Sequence, residues 1–164
     1  MPSESTTGTI AKDSLADFTR RELILLRLQE RDAAGIIGEL SRVLREQGYV
    51  PDVLPFYQAA LNQELLSHSA NGFGIAVAHA RLGGVKHLQF AFGRSDQSVV
   101  WGTKGSWPVQ LVFLLAVPAT DAAAYLHLLS SLARLGQNHE VLAELLVASD
   151  IPGVLAVLRK IKLQ

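Results

Sequence analysis

The 164 residues predict a single α/β domain, an α+β mixture in which a central mixed sheet of about five strands carries helices on both faces. Three observations lead there. Short, nearly uninterrupted apolar runs, of which Val109–Val117 is the purest, have the length of buried strands. Longer stretches with apolar residues at helical spacing lie between and after them, opened by Asp, Asn or Thr and in places closed by glycine. The two kinds of segment interleave along the chain, as a mixed sheet covered by helices requires.

Residues 1–17 are rich in Ser and Thr and lack the basic stretch and apolar run of a signal peptide. They read as a polar flexible tail ahead of a domain over residues 18–164. Glu22–Gln29 is short and largely apolar, a buried strand. Asp32 caps a helix that turns Ile36, Leu40, Val43 and Leu44 inward and stops at Gly48. A second helix starts near Pro55 and runs to about Leu66, with Phe56, Ala60 and Leu61 inward. Ser67–Gly72 is a loop, and Gly74–Ala80 is an extended run that contains His79. His87–Gly93 and Gln97–Trp101 are two further strands, and Val109–Val117 takes the centre of the sheet. Thr120 or Asp121 caps a helix to Leu135, stopped by Gly136. Asn138 caps another over His139–Ala148, and Asp150 opens a last one to about Ile161, with Pro152 tolerated in its first turn.

Composition narrows the function. Fifteen basic residues balance fifteen acidic ones, so nothing favours nucleic acid or an acidic membrane surface as a partner. The absence of cysteine removes disulfides, thiolate catalysis and cysteine metal sites, and fits a cytoplasmic protein. The longest apolar run, Val109–Ala119, is broken by Pro118 and too short to span a bilayer, so no membrane insertion is expected. No Ser, His and Asp arrangement suggests a hydrolase. His79, His87 and His127 lack metal-ligand spacing, and no metal or other cofactor is expected.

The stretch Leu61–Arg81 contains Gln63-Glu64, Ser69, Gly72, Gly74 and the run Gly74-Ile-Ala-Val-Ala-His79-Ala-Arg81. It resembles the signature of type 2 enzyme IIA domains of the phosphoenolpyruvate sugar phosphotransferase system, the fructose, mannitol and nitrogen-regulatory kind. That family reads Arg-Glu, a short gap, then Ser-Thr-Gly-Ile-Gly-x-Gly-Ile-Ala-Ile-Pro-His followed by Gly or Ala and a basic residue. Upstream, a strand and a helix ending Gln47-Gly-Tyr-Val50 precede the motif, as in the family. Downstream, Phe92-Gly-Arg-Ser95, Val100-Trp101, Pro108–Pro118 and Leu126–Ala133 extend the likeness, which covers Phe18 to Lys162. It implies a mannitol-IIA-like fold, His79 as phosphoryl acceptor and His127 as a second functional histidine. Three departures stand out: Gln63 replaces the family's Arg, His68-Ser69-Ala70-Asn71 replaces the Ser-Thr-Gly-Ile loop, and Ala78 replaces the Pro before the histidine.

The chemistry asks for little beyond these groups. A neutral imidazole is a competent nucleophile near neutral pH. Phosphoryl transfer between imidazoles needs in-line geometry and donors for three anionic oxygens. Candidate supports are Gln63, Ser69, Arg81 and His127, with Gly72 and Gly74 letting loop N–H groups come close. Gln63 brings no charge where the family's Arg brings a fixed fork, which predicts a working but slowed acceptor. Arg81 is equally readable as a solvated strand-end charge, and Ser69 as ordinary loop chemistry. His68 fills the loop, His87 and His139 are structural or exposed, and Phe73 is either partner-facing or a lid on the core.

The resemblance thus implies a phosphoryl-relay protein, a phosphotransferase working through phosphohistidine. Its partners would be a histidine phosphocarrier protein (HPr or a nitrogen-type homologue) and either a IIB domain or a regulatory target. The end of the chain just after the domain predicts no attached IIB or IIC part. The alternative is a degenerate IIA domain acting as a non-catalytic regulatory binding module, motivated by Gln63, Ala70 and Ala78.

Overall fold

The most apolar run forms β4 (Trp107–Pro118), with Leu111–Pro118 buried without interruption. The computed structural model describes residues 12–66, 70–102, 107–120 and 122–163. Among these residues one sheet has the order β1-β3-β4-β2, with β1 Ile24–Leu25, β2 Ile75–Leu82 and β3 Gln89–Trp101. The β3–β4 pair is antiparallel, while β2–β4 and β1–β3 are parallel. The helices are α1 (Ala33–Glu46), α2 (Val53–Leu66), α3 (Ala122–Gly136), α4 (His139–Val147) and α5 (Ile151–Arg159). Short 3₁₀ turns occupy Leu15–Phe18 and Arg21–Leu23.

The described sheet has four strands where the sequence suggested about five. The two runs expected as His87–Gly93 and Gln97–Trp101 merge into one strand, β3, which begins at Gln89. The interval between them, Arg94-Ser95-Asp96, continues that strand, and the pairing register with β4 slips between Arg94 and Val99. The strand expected over Glu22–Gln29 shrinks to Ile24–Leu25, because Arg21–Leu23 coils into a 3₁₀ turn. Beyond β1, the Leu28 N–H still donates to the Arg94 carbonyl at 2.9 Å. The Leu28 side chain lies where a Cβ on Gly93 would project, so the close approach depends on that glycine.

Helix ends follow the side chains that the sequence offers. Asp32 accepts from the Gly35 N–H at 2.7 Å, Asn138 from Val141 at 3.1 Å and Asp150 from Gly153 at 2.8 Å. At the other end of α1, Gly48 takes φ +83°. The N–H groups of Tyr49 and Gly48 donate back to the carbonyls of Leu44 and Arg45, a Schellman stop that a side chain at Gly48 would strain. α2 begins at Val53, two residues ahead of Pro55. Of the two caps expected for α3, Asp121 lies outside the described residues.

Alternation along the central strands divides the interior into two cores. On one face Phe90, Phe92, Phe113 and Leu115 pack with Leu128, Leu132, Val154 and Leu158 of α3 and α5. On the other, Ala76, Ala78, Val112 and Leu114 pack with Ile36, Leu40, Phe56 and Ala60 of α1 and α2. The Trp101 indole donates to the buried Glu64 carboxylate at 3.0 Å, tying the end of β3 to α2. Leu15 is fully buried and its N–H donates to the Ile161 carbonyl, while Ser14 pairs with Lys162. The packed part of the chain therefore begins before Phe18. No helix among the described residues is long and apolar enough to cross a membrane.

One side chain joins three of these elements. The Arg94 guanidinium, on β3, donates to the carbonyls of Leu145 and Ala148 at the end of α4, at 2.9 and 2.7 Å. Its Nε donates to the Leu26 carbonyl beyond β1 at 3.3 Å. A cation at a helix C-terminus satisfies carbonyls that have no helical partner and meets the negative end of the dipole. Replacing Arg94 with Met is expected to lower the free energy of unfolding by about 2–3 kcal/mol, the scale of charged hydrogen bonds. Urea titration measures this, and a midpoint equal to wild type would show that the cap contributes nothing.

Candidate active site

β2 is an edge strand held by eight consecutive register pairs to β4, from Ile75↔Leu111 to Leu82↔Pro118. Its side chains alternate between the two faces. Ala76, Ala78 and Ala80 enter the core shared with α1 and α2. Ile75 and Val77 face the helices of the other side, and His79 and Arg81 continue that row. His79 stands opposite Leu115, near the C-terminal end of both strands, with its side chain half-buried.

Two residues surround the imidazole. The Tyr125 ring of α3 lies 5.4 Å from the His79 ring, centroid to centroid, at an interplanar angle of 47°. The Arg81 guanidinium sits 5.4 Å from the Tyr125 ring centroid, in cation–π range. Arg81 Nη1 also donates to the Ala119 carbonyl, just past β4, at 3.3 Å. Burial pushes the His79 pKa below the ordinary histidine value, and the nearby positive charge of Arg81 adds to the effect. Burial raises the Tyr125 phenol, with Arg81 partly opposing. The site therefore holds a neutral imidazole, a protonated phenol and a fixed cation.

The structure brings together only some of the residues singled out in the sequence. His79 and Arg81 share one face of β2. His127 does not join them: it lies two residues beyond Tyr125, about 200° around the helix. It is exposed there and lines a recess of about 370 Å³ with Lys12, Phe18, Ala124 and Leu163. Tyr125 takes the place that the resemblance had given to His127. The apolar stripe of α3, Leu128, Leu132 and Leu135, reaches Tyr125 when carried one turn back. That spacing is the signal that could have found it.

The glycines are also displaced from the chemistry. Gly74 is five residues before His79 on a regularly paired strand, about 16 Å away at 3.3 Å per residue. Gly72 and Gly74 thus cannot bring backbone donors to a group on the imidazole. Their positive φ values, +82° and +88°, serve a tight turn instead. Within it, Asn71 Oδ1 accepts from the N–H groups of Phe73 and Ile75 at 2.8 and 3.3 Å. Gln63 is half-buried on the last turns of α2, and no hydrogen bond among the described residues joins it to His79. Ser69 and His68 lie outside the described residues. Phe73 is exposed, with its ring edge-on to His139 at 6.1 Å.

Comparison with known proteins gives this arrangement a context. The family described as "Phosphoenolpyruvate-dependent sugar phosphotransferase system, EIIA 2" matches residues 17–161. A fructose-specific EIIABC component of Bacillus subtilis is 30% identical over 148 residues, 89% of this chain. The chain spans only 23% of that protein's length. A fructose-specific EIIA component of Haloferax volcanii is 29% identical over 147 residues, which cover 90% of this chain and 96% of the relative. The crystal structure of the nitrogen regulatory protein IIA-Ntr from Neisseria meningitidis superposes with a TM-score of 0.74, covering 88% of this chain and 98% of that one at 24% identity, a likeness of fold. With a match over nearly its whole described length, this chain belongs to the type 2 EIIA family of the phosphoenolpyruvate-dependent sugar phosphotransferase system.

Proposed function

We propose that His79 accepts a phosphoryl group from the phosphohistidine of a carrier protein and hands it to a IIB domain or holds it as a signal. The observation that carries this reading is the half-buried imidazole at the family's histidine position, kept neutral by burial and flanked by Arg81. A ring nitrogen of neutral His79 attacks phosphorus in line with the donor imidazole. The P–N bond to His79 forms as the donor P–N bond breaks. A donor ring protonated on its other nitrogen leaves as neutral imidazole. His79 keeps the proton on its second nitrogen, so no net proton is exchanged.

The surroundings supply electrostatics more than chemistry. Arg81 places a fixed positive charge beside the incoming dianion. The cation that adds to burial in lowering the imidazole's pKa also favours the phosphorylated state. The Bacillus relative, by its name, joins A, B and C components in one chain, which fits a IIB domain as the receiver.

Intact-protein mass after incubation with phosphoenolpyruvate, enzyme I and the phosphocarrier tests the reading. Wild type is expected to gain one acid-labile phosphoryl group and His79→Ala none. A folded wild type left unmodified by a charged carrier would replace the relay with a phosphorylation-independent binding module.

The depressed His79 pKa adds a pH signature. In the unfolded chain this histidine titrates near about 6.5, so on acidification the unfolded state binds the proton first. Its contribution to stability is complete above about pH 6.5 and is lost as pH falls toward the folded value. The acid limb of phosphoryl acceptance should likewise lie below about 6.5. Arg81→Gln should move the NMR titration of His79 upward; an unchanged midpoint would remove Arg81 from the electrostatics of the site.

A further inference from the structure

The geometry assigns Tyr125 as the positioning residue of this site: its ring meets both the His79 imidazole and the Arg81 guanidinium. The assignment rests on the proposed acceptor role of His79. It names a residue that the sequence motif does not contain.

Both contacts are made by the ring, at 5.4 Å each. Among the described residues, the edge strand that carries the imidazole pairs at His79 on one side only, with β4. Without a neighbour, its ring is free to rotate about its side-chain bonds, and in-line attack would select a fraction of its orientations. Tyr125 comes from a separate element, α3, whose buried residues Leu128 and Leu132 fix the helix on the sheet. The ring is thus held by the packing of a helix on the sheet and not by the local chain around His79. Arg81 meets the same ring, and its hydrogen bond to the Ala119 carbonyl limits its swing. A long, flexible cation becomes a charge at a defined place.

The ring and not the hydroxyl carries the effect. Burial raises the phenol's pKa, so Tyr125 remains an uncharged aromatic surface across the neutral range. A ring without the hydroxyl should therefore work nearly as well, whereas a flexible aliphatic side chain should not.

Tyr125→Phe and Tyr125→Met, made in the full chain, test this by two readouts. Acceptance of the phosphoryl group from the charged carrier should fall about 10- to 100-fold in the Met variant, the scale of a misplaced reactant. It should stay within about threefold of wild type in the Phe variant. In the NMR titration, the His79 midpoint should rise toward the ordinary histidine value with Met and remain low with Phe. Should Tyr125→Met fail to fold by thermal melt, Tyr125→Gln carries the same comparison. A Phe variant as slow as Met would overturn the assignment in favour of a hydroxyl acting on the phosphoryl group itself. A Met variant equal to wild type in rate and titration would overturn it outright. If wild type accepts no phosphoryl group, the relay reading falls. The titration arm then still decides whether Tyr125 sets the environment of His79.

Discussion

The structure depends on β4, a strand that is apolar on both faces. Its eight consecutive buried residues leave neither face for water, so each must be covered. The helices accordingly divide, α1 and α2 to one side and α3 to α5 to the other. Its two flanks are taken by β3 and β2, and the parallel register to β2 fixes where His79 stands. A slip of one residue would turn His79 into the alanine-lined core and Ala78 or Ala80 toward Tyr125. His79 would then stand opposite Leu114 or Ala116, residues of the other core, instead of Leu115. The hydrophobic core thus sets the reactive side chain by register.

Much of this was legible in the sequence. β4 was identifiable because an unbroken apolar run has few alternatives, and the caps Asp32, Asn138 and Asp150 because a short polar side chain before an apolar period has a local meaning. What misled was a break placed at Arg94-Ser95-Asp96. These residues continue β3 through a stretch where its register with β4 slips, which does not require the chain to turn. At β1 the reverse held: an apolar run promised a long strand, but only Ile24 and Leu25 pair in register with β3.

The site divides along the same line. His79 is visible from its motif and its strand alternation, both local properties. Tyr125 is not, because its role arises from α3 crossing β2, a tertiary event between residues forty-six positions apart. The resemblance over Leu126–Ala133 led to His127, which shares the helix with Tyr125 but lies about 200° around it. Periodicity was the better guide, since the core stripe of α3 leads back to Tyr125.

The glycine loop is best understood through the open edge of β2. An edge strand exposes unpaired N–H and C=O groups, and proteins commonly cover them. Here the chain before β2 folds back on it: Ala70 bridges to Ala76, and the Asn71 N–H donates to the Ile75 carbonyl at 3.0 Å. So tight a reversal needs the two positive-φ glycines and the Asn71 side chain inside the turn. The glycines that suggested a phosphate cradle thus close the first part of the edge. His79 lies farther along the strand, paired on one side by β4 and faced by Tyr125. An acceptor proposed to meet another protein's imidazole would need such a place, with backbone fixed by pairing and side chain at the sheet edge. A central strand would give the first without the second, and a loop the second without the first.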